Sequence, residues 1–81
     1  MKALYSAHFK ESFKALPIEI NKKFKKQIKF LMRNLRHPSL KSKKYDEKRG
    51  IWQARVDRNY RFYFLIKGDT YILLEVKSHP K

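Results

Sequence analysis

From Ile51 onward the sequence alternates apolar and polar residues so regularly that it reads as sheet, in three runs: Ile51–Asp57, Tyr60–Lys67 and Tyr71–His79. Trp52, Ala54, Val56, Tyr60, Phe62, Phe64, Ile66, Ile72, Leu74 and Val76 hold even positions. Gln53, Arg55, Asp57, Arg61, Tyr63, Glu75, Lys77 and His79 hold odd ones. Side chains in a strand alternate between faces with period two, so the two sets fall on opposite faces, provided both hairpin loops contain an odd number of residues. The even face is then an apolar core. The odd face gathers two arginines, a lysine, a histidine, a tyrosine and a glutamate, side chains that suit a phosphate-handling site.

The residues before Ile51 supply what covers that core. Lys2–Ala7 predicts a short strand that pairs with the C-terminal sheet. Phe9, Phe13 and Leu16 are spaced along one side of a short helix over His8–Leu16, and Pro17 is tolerated in the first turn of a second. In that second helix Ile20, Phe24, Ile28, Leu31 and Leu35 recur at three- and four-residue steps, with Lys22, Lys23, Lys25, Lys26 and Lys29 opposite. Its apolar stripe is expected against the even face of the sheet. Arg36–Gly50 breaks the helical pattern at His37-Pro38 and carries Lys41, Lys43, Lys44, Lys48 and Arg49, so it predicts a basic loop. Asp57-Arg58-Asn59 and Lys67-Gly68-Asp69 have the residues of tight turns. The expected architecture is α+β: an N-terminal strand, a two-helix hairpin, then a three-stranded antiparallel meander, forming a twisted sheet packed on the helices.

At 81 residues the chain is expected to be one domain, 1–81, because a second would have too little chain to bury its own core. Hydrophobic content of 42%, with six Phe, five Tyr and one Trp, is that of a folded protein rather than a disordered basic tail. The absence of cysteine removes disulfides and thiolate metal sites, and suits a reducing cytosol. No apolar run approaches a membrane span and the N-terminus lacks the apolar core of a secretory signal, so a soluble intracellular protein is expected. A net charge of +14, from 21 Lys and Arg against seven acids, attracts polyanions. Nucleic acid is the first partner to consider, and an acidic protein would satisfy the same surface.

Two classes of chemistry find little support. Gly50 and Gly68 are the only glycines and neither sits in a phosphate-binding pattern, which disfavours nucleotide hydrolysis. His8, His37 and His79 lack ligand spacing and the acids do not cluster, so neither metal nor cofactor is expected. Arg55 and Arg61 are the sharpest candidates. With a three-residue turn between their strands they pair directly, Cβ atoms roughly 5 Å apart, and two guanidiniums so close need an anion or a carboxylate between them. Glu75 or Asp57 would neutralise them in a surface network; a phosphate would match their fork geometry. His79 shares their face, and histidine changes charge near neutral pH, which suits it to protonate a leaving oxygen. Tyr63 either stacks on a base or packs against an arginine. Trp52 is expected in the core.

Gly50-Ile51-Trp52-Gln53-Ala54-Arg55-Val56, Tyr60-Arg61-Phe62-Tyr63-Phe64 and Glu75-Val76-Lys77-Ser78-His79 together resemble the RelE/ParE superfamily of bacterial toxins. With the preceding strand, helices and basic loop, the resemblance covers essentially the whole chain. It implies a RelE-like fold and, as in many members, cleavage of mRNA in the ribosomal A site under control of a cognate acidic antitoxin. By the same resemblance Arg55 and Arg61 match basic residues around the scissile phosphate, and His79 matches a C-terminal histidine or arginine. Lys41, Lys43 and Lys44 match a basic loop resembling a ribosomal-RNA contact surface, and Lys48, Arg49, Gln53 and Tyr63 are expected with them as RNA- or ribosome-binding residues.

The activity implied is that of a metal-independent endoribonuclease, the substrate's 2′-hydroxyl attacking to give a 2′,3′-cyclic phosphate. Arg55 and Arg61 would stabilise the phosphate, His79 would act as acid, Lys77 as an auxiliary cation and Glu75 as a candidate base. The sequence departs from the family pattern at Gln53, where some ribonuclease members have a basic residue. It departs again at Ser42, where the YoeB-like branch has a glutamate, and at Pro80, where an aromatic often follows the histidine. No counterpart of the extra C-terminal helix of some relatives is expected after Lys81. A ParE-like gyrase poison and a non-cleaving relative that binds RNA or antitoxin are the alternatives.

Overall fold

In the computed structural model, which describes residues 1–79, five strands form one sheet in the order β1-β5-β4-β3-β2. Pro80, one of the departures from the family pattern, lies outside the described residues, as does Lys81. The strands are β1 (Lys2–Tyr5), β2 (Lys43–Asp46), β3 (Ile51–Arg55), β4 (Tyr60–Lys67) and β5 (Thr70–Ser78). Helices α1 (Ala7–Lys14) and α2 (Ile18–Arg33) lie between β1 and β2 in sequence. β1 pairs with β5 in parallel, and the other pairings are antiparallel.

β1 stops at Tyr5 rather than Ala7 because Ser6 caps α1. Its Oγ accepts the Phe9 N–H at 3.0 Å, and Ser6 has the extended backbone of an N-cap. α1 therefore begins at Ala7 and leaves Leu16 outside it. α2 follows Pro17, whose missing N–H is no loss at a helix start. Its buried stripe is Ile20, Phe24, Gln27 and Leu31, with Ile28 only partly buried; the helix ends at Arg33, so Leu35, expected on it, lies beyond it and is partly buried. A run of aromatic contacts joins the layers: Phe9–Phe24 at 5.3 Å between centroids, Phe24–Phe62 at 5.2 Å and Phe64–Tyr71 at 5.6 Å, the last two edge-to-face. Phe62, Phe64, Leu31, Leu40 and Leu73 are fully buried among them.

Two features depart from the sequence expectation. The first is β2, formed inside the expected basic loop: Lys43 pairs with Gln53 and Lys44 with Trp52 along the open edge of β3. The second is the register of β5. Lys67 pairs with Thr70, so the β4–β5 loop is the two residues Gly68-Asp69, an even number, with Gly68 at φ 58° as such tight loops require. Parity is thereby reversed at the start of β5, and Tyr71 and Leu73, not Ile72 and Leu74, enter the core.

A bulge then restores it. Phe64 pairs with Leu73 but Tyr63 with Glu75, leaving Leu74 without a partner and returning Glu75 and Lys77 to the odd face. Two serines of the α1 region supply the ladder bonds the bulge disrupts. Ser6 Oγ donates to the Leu74 carbonyl at 3.2 Å, and Ser12 Oγ accepts the Val76 N–H at 3.2 Å.

Candidate active site

The sheet face away from the helices carries two transverse rows of side chains. One is Lys43, Gln53, Tyr63 and Glu75; the other is Arg55, Arg61 and Lys77, with Arg55 directly opposite Arg61. Neighbouring strands are roughly 5 Å apart, so adjacent members of a row touch or nearly touch. Val56 N donates to Tyr60 O at 3.0 Å, which closes a three-residue turn over Asp57–Asn59 and sets the Arg55–Arg61 pairing.

Asp57 shapes that turn by accepting the Asn59 and Tyr60 N–H groups at 2.8 and 2.9 Å. Burial pushes its carboxyl up, but those hydrogen bonds and Lys23 outweigh it and the net shift is downward. Arg61 braces the turn from the other side, its Nη1 donating to the carbonyls of Asp57 (2.7 Å), Tyr60 (3.0 Å) and Arg58 (3.2 Å).

At the end of these rows a cavity of about 190 Å³ is lined by Lys41, Lys43, Gln53, Arg55, Arg61 and His79. His79 reaches it because its backbone N–H is tied to Asn59 O at 2.7 Å, holding the end of β5 against the turn. Lys41 reaches it through Leu40, which is fully buried and whose carbonyl accepts the Arg55 N–H at 2.7 Å. Gln27 of α2 fastens the same region. Its Nε2 donates to Arg55 O (2.8 Å) and Ser39 O (3.1 Å), and its Oε1 accepts from Ser39 Oγ (3.2 Å). Lys41 takes φ 47° at this tether, a left-handed backbone uncommon outside glycine.

The carboxylates that were candidates to neutralise the arginines are engaged elsewhere. Asp57 pairs with Lys23 at 3.1 Å, and Glu75 with His8 at 2.9 Å and Lys77 at 3.3 Å. The hydrogen bond from His8 first, and Lys77 after it, hold the Glu75 carboxyl below its ordinary range despite burial. Among the described residues neither Arg55 nor Arg61 has a carboxylate partner, and Arg55 Nε is buried without any hydrogen bond. The cavity wall thus carries, among the described residues, two lysines, two arginines, a histidine and an amide, with no acid. Such a donor set is suited to an anion that presents several oxygens.

The remaining candidates stand outside the cavity wall. Glu75 is a row away, held by His8 and Lys77. Lys77 follows Arg61 in its row, but its ammonium lies 5.3 Å from the Tyr63 ring and bonds Glu75, which raises its pKa. Tyr63 is buried under Lys77 and meets Tyr45 edge-to-face at 4.9 Å, so no open ring face is left for stacking. Lys44 points to the other side of the sheet, 5.3 Å from the ring of Trp52, which Arg36 also approaches at 5.9 Å. Trp52 is accordingly half-buried at the core's rim. Arg49 is tied to Asp46 at 3.0 Å in the β2–β3 turn, beside Lys48.

Sequence reasoning missed Leu40 and Gln27. Both had a signal: a lone leucine in a basic segment, and a glutamine at helical spacing between Phe24 and Leu31. Among the described residues no three His, Asp or Glu side chains come together as metal ligands. A larger apolar cavity of about 390 Å³ lies between α1 and α2, remote from these groups.

A two-helix hairpin on a mixed five-stranded sheet is the fold of RelE/YoeB-like toxins, and solved structures of such toxins superpose on it. The YoeB/ParE toxin from Agrobacterium tumefaciens does so with a TM-score of 0.81 at 15% identity, covering 99% of this chain and 100% of that one. YoeB in a YoeB–YefM toxin–antitoxin complex from Staphylococcus aureus gives 0.78 at 18%, covering 99% and 98%. The RelB–RelE antitoxin–toxin complex from Methanococcus jannaschii gives 0.77 at 26%, covering 93% and 88%. No curated protein matches by sequence. The family model described as the ParE toxin of the type II toxin–antitoxin system parDE matches residues 3–81. The chain belongs to this family, within the RelE/ParE superfamily of type II toxins.

Proposed function

We propose that the protein is a ribosome-dependent endoribonuclease that cleaves mRNA, arrests translation in the cytoplasm and is held inactive by a cognate acidic antitoxin. The observation that carries this reading is the meeting of Arg55, Arg61, Lys41, Lys43 and His79 around one cavity with no carboxylate among them. A scissile phosphate bound there gains charge as the 2′-oxygen attacks, and preorganised guanidiniums stabilise that charge without reorganising. The 2′-oxygen forms the new bond to phosphorus and its proton passes to water. The bond from phosphorus to the 5′-oxygen breaks, and His79 protonates that oxygen. The products are a 2′,3′-cyclic phosphate and a 5′-hydroxyl end.

Glu75 takes no part as base in this scheme. It is bound to His8 and Lys77, and a carboxyl held below its ordinary range is a weaker proton acceptor. Lys77 keeps Glu75 and Tyr63 in place beside the site. An acidic partner suits a +14 surface, and relatives of the same fold are found in complexes with YefM and RelB.

The family match favours a second reading, in which the protein poisons gyrase as ParE-branch toxins do. One pair of assays separates them. Purified protein, free of antitoxin, is added to reconstituted translation with primer extension on the message, and in parallel to gyrase supercoiling and cleavage reactions. Cuts in ribosome-bound message that disappear with Arg61→Ala support the ribonuclease. Uncut message with trapped gyrase–DNA complexes replaces it with the gyrase reading.

A further inference from the structure

Among the described residues Gln53 is the one side-chain amide in a wall of cations, and its surroundings set it apart from the other buried glutamine. Both are 6% exposed. Gln27 spends its amide on three hydrogen bonds. Gln53 makes no side-chain hydrogen bond among the described residues, and it lines the cavity. Its amide atoms are not among the buried unpartnered ones, which are Ser42 Oγ and Arg55 Nε, so they face the open cavity, where an entering group can bond them.

The chemistry of the wall says which group that is. Lys41, Lys43, Arg55 and Arg61 only donate, and His79 accepts only when neutral. A phosphate, which only accepts, is served by all of these and has no use for the Gln53 Oε1. That oxygen is free to accept from a donor on the bound molecule. Gln53 and Arg55 sit two apart on one strand face, with Cα atoms roughly 7 Å apart, so their side chains can reach adjacent groups of a single nucleotide. The donor adjacent to a 3′-phosphate in RNA is the ribose 2′-hydroxyl, which DNA lacks.

We infer that Gln53 accepts a hydrogen bond from the 2′-hydroxyl beside the bound phosphate and makes the cavity select ribose over deoxyribose. This rests on the ribonuclease reading and assigns the discrimination within it to one side chain.

The test uses two trinucleotides that end in a 3′-phosphate, the last sugar being ribose in one and 2′-deoxyribose in the other. Neither presents a bond to cleave, so their affinities for the full chain can be measured by calorimetry or NMR titration. The wild type should prefer the ribose form by about three- to thirty-fold, the range of one hydrogen bond whose loss leaves a partner unsatisfied. Gln53→Leu should bring the ratio below about two by weakening the ribose form alone. Gln53→Glu should keep the preference, because it keeps the acceptor, while weakening both forms through repulsion of the phosphate; this a merely structural role would not produce. Equal wild-type affinities, or a preference that survives in Gln53→Leu, overturn the assignment to Gln53 and leave the phosphate site standing. If neither trinucleotide binds, or both bind equally to Arg61→Ala, the cavity is not a phosphate site and the ribonuclease reading falls as well.

Discussion

Nη1 of Arg61 donates to three turn carbonyls, and the same side chain lines the cavity, so substitutions at this position act on stability and chemistry together. Arg61→Ala should lose about 1–3 kcal/mol of folding stability, since the charge-assisted hydrogen bonds that brace the turn go with it. It should also lose about 10² to 10³ in cleavage rate. Arg61→Lys keeps the charge but not the planar fork, so activity should stay well below wild type even where the fold is largely recovered. Denaturant unfolding beside single-turnover cleavage reads the two losses separately; full recovery by lysine would reduce Arg61 to a point charge. His79 contrasts with it, because its tether to Asn59 runs through the backbone. His79→Ala should leave stability within about 0.5 kcal/mol and cost about 10² to 10⁴ in rate, less on a substrate with a better leaving group. Lys41 offers the opposite trade. Lys41→Gly relieves a left-handed backbone that costs a side-chain-bearing residue about 1–2 kcal/mol, partly offset by glycine's greater unfolded entropy. Its melting temperature should hold or rise while cleavage falls, and a decline in both would show that the lysine side chain packs structurally.

Elements explain why part of this site was legible in the sequence and part was not. The Arg55–Arg61 pairing followed from period-two alternation and a three-residue turn, both local signals. β2 was not legible because Lys43–Asp46 has neither alternation nor branched residues, and becomes a strand only by pairing with the edge of β3. β5 misled for a different reason. The even Gly68-Asp69 loop reverses its parity and the Leu74 bulge reverses it again, and the serines that satisfy the bulge belong to a segment more than sixty residues earlier. Recognising β2 as a strand separates two lysines that a loop had grouped together. Lys43 lines the cavity and Lys44 lies over Trp52 on the other face. Lys43→Glu should therefore weaken RNA binding and lower the log–log salt slope by about 0.7 for each single-strand phosphate that is no longer neutralised. Lys44→Glu should leave cavity binding of a short 3′-phosphorylated oligonucleotide nearly unchanged, with at most a small drop in stability because its ammonium no longer sits over the Trp52 ring. Equal defects in the two variants would show that long-range charge, not face, governs binding.

The molecule as a whole carries 21 basic residues and only seven acidic ones, so where the acids sit decides how the fold tolerates its own repulsion. The carboxylates of Asp46, Asp57 and Glu75 form ion pairs with Arg49, Lys23 and Lys77, Glu75 also hydrogen-bonding His8, and each lies outside the cavity wall. This arrangement compensates the sheet while leaving the site cationic. It also makes stability depend on pH. The Asp57 and Glu75 carboxyls are lowered in the folded protein, so the folded state binds their protons less readily than the unfolded chain does. Their contribution is fully present above the ordinary carboxylate range near pH 4 and is lost as pH falls through the lowered folded values. Protonation then removes compensating charge from a chain already at +14, and repulsion adds to the loss. Thermal unfolding from neutral pH down into acid should accordingly show a stability plateau that breaks as pH enters the ordinary carboxylate range and keeps falling below it. Asp57→Asn should begin lower at neutral pH, because the Lys23 pair is gone and the Asp57–Asn59 turn is held by a weaker acceptor, and should fall less steeply in acid. A variant whose curve runs parallel to wild type throughout would show that the Asp57 carboxyl is not the group whose protonation unfolds this end of the sheet.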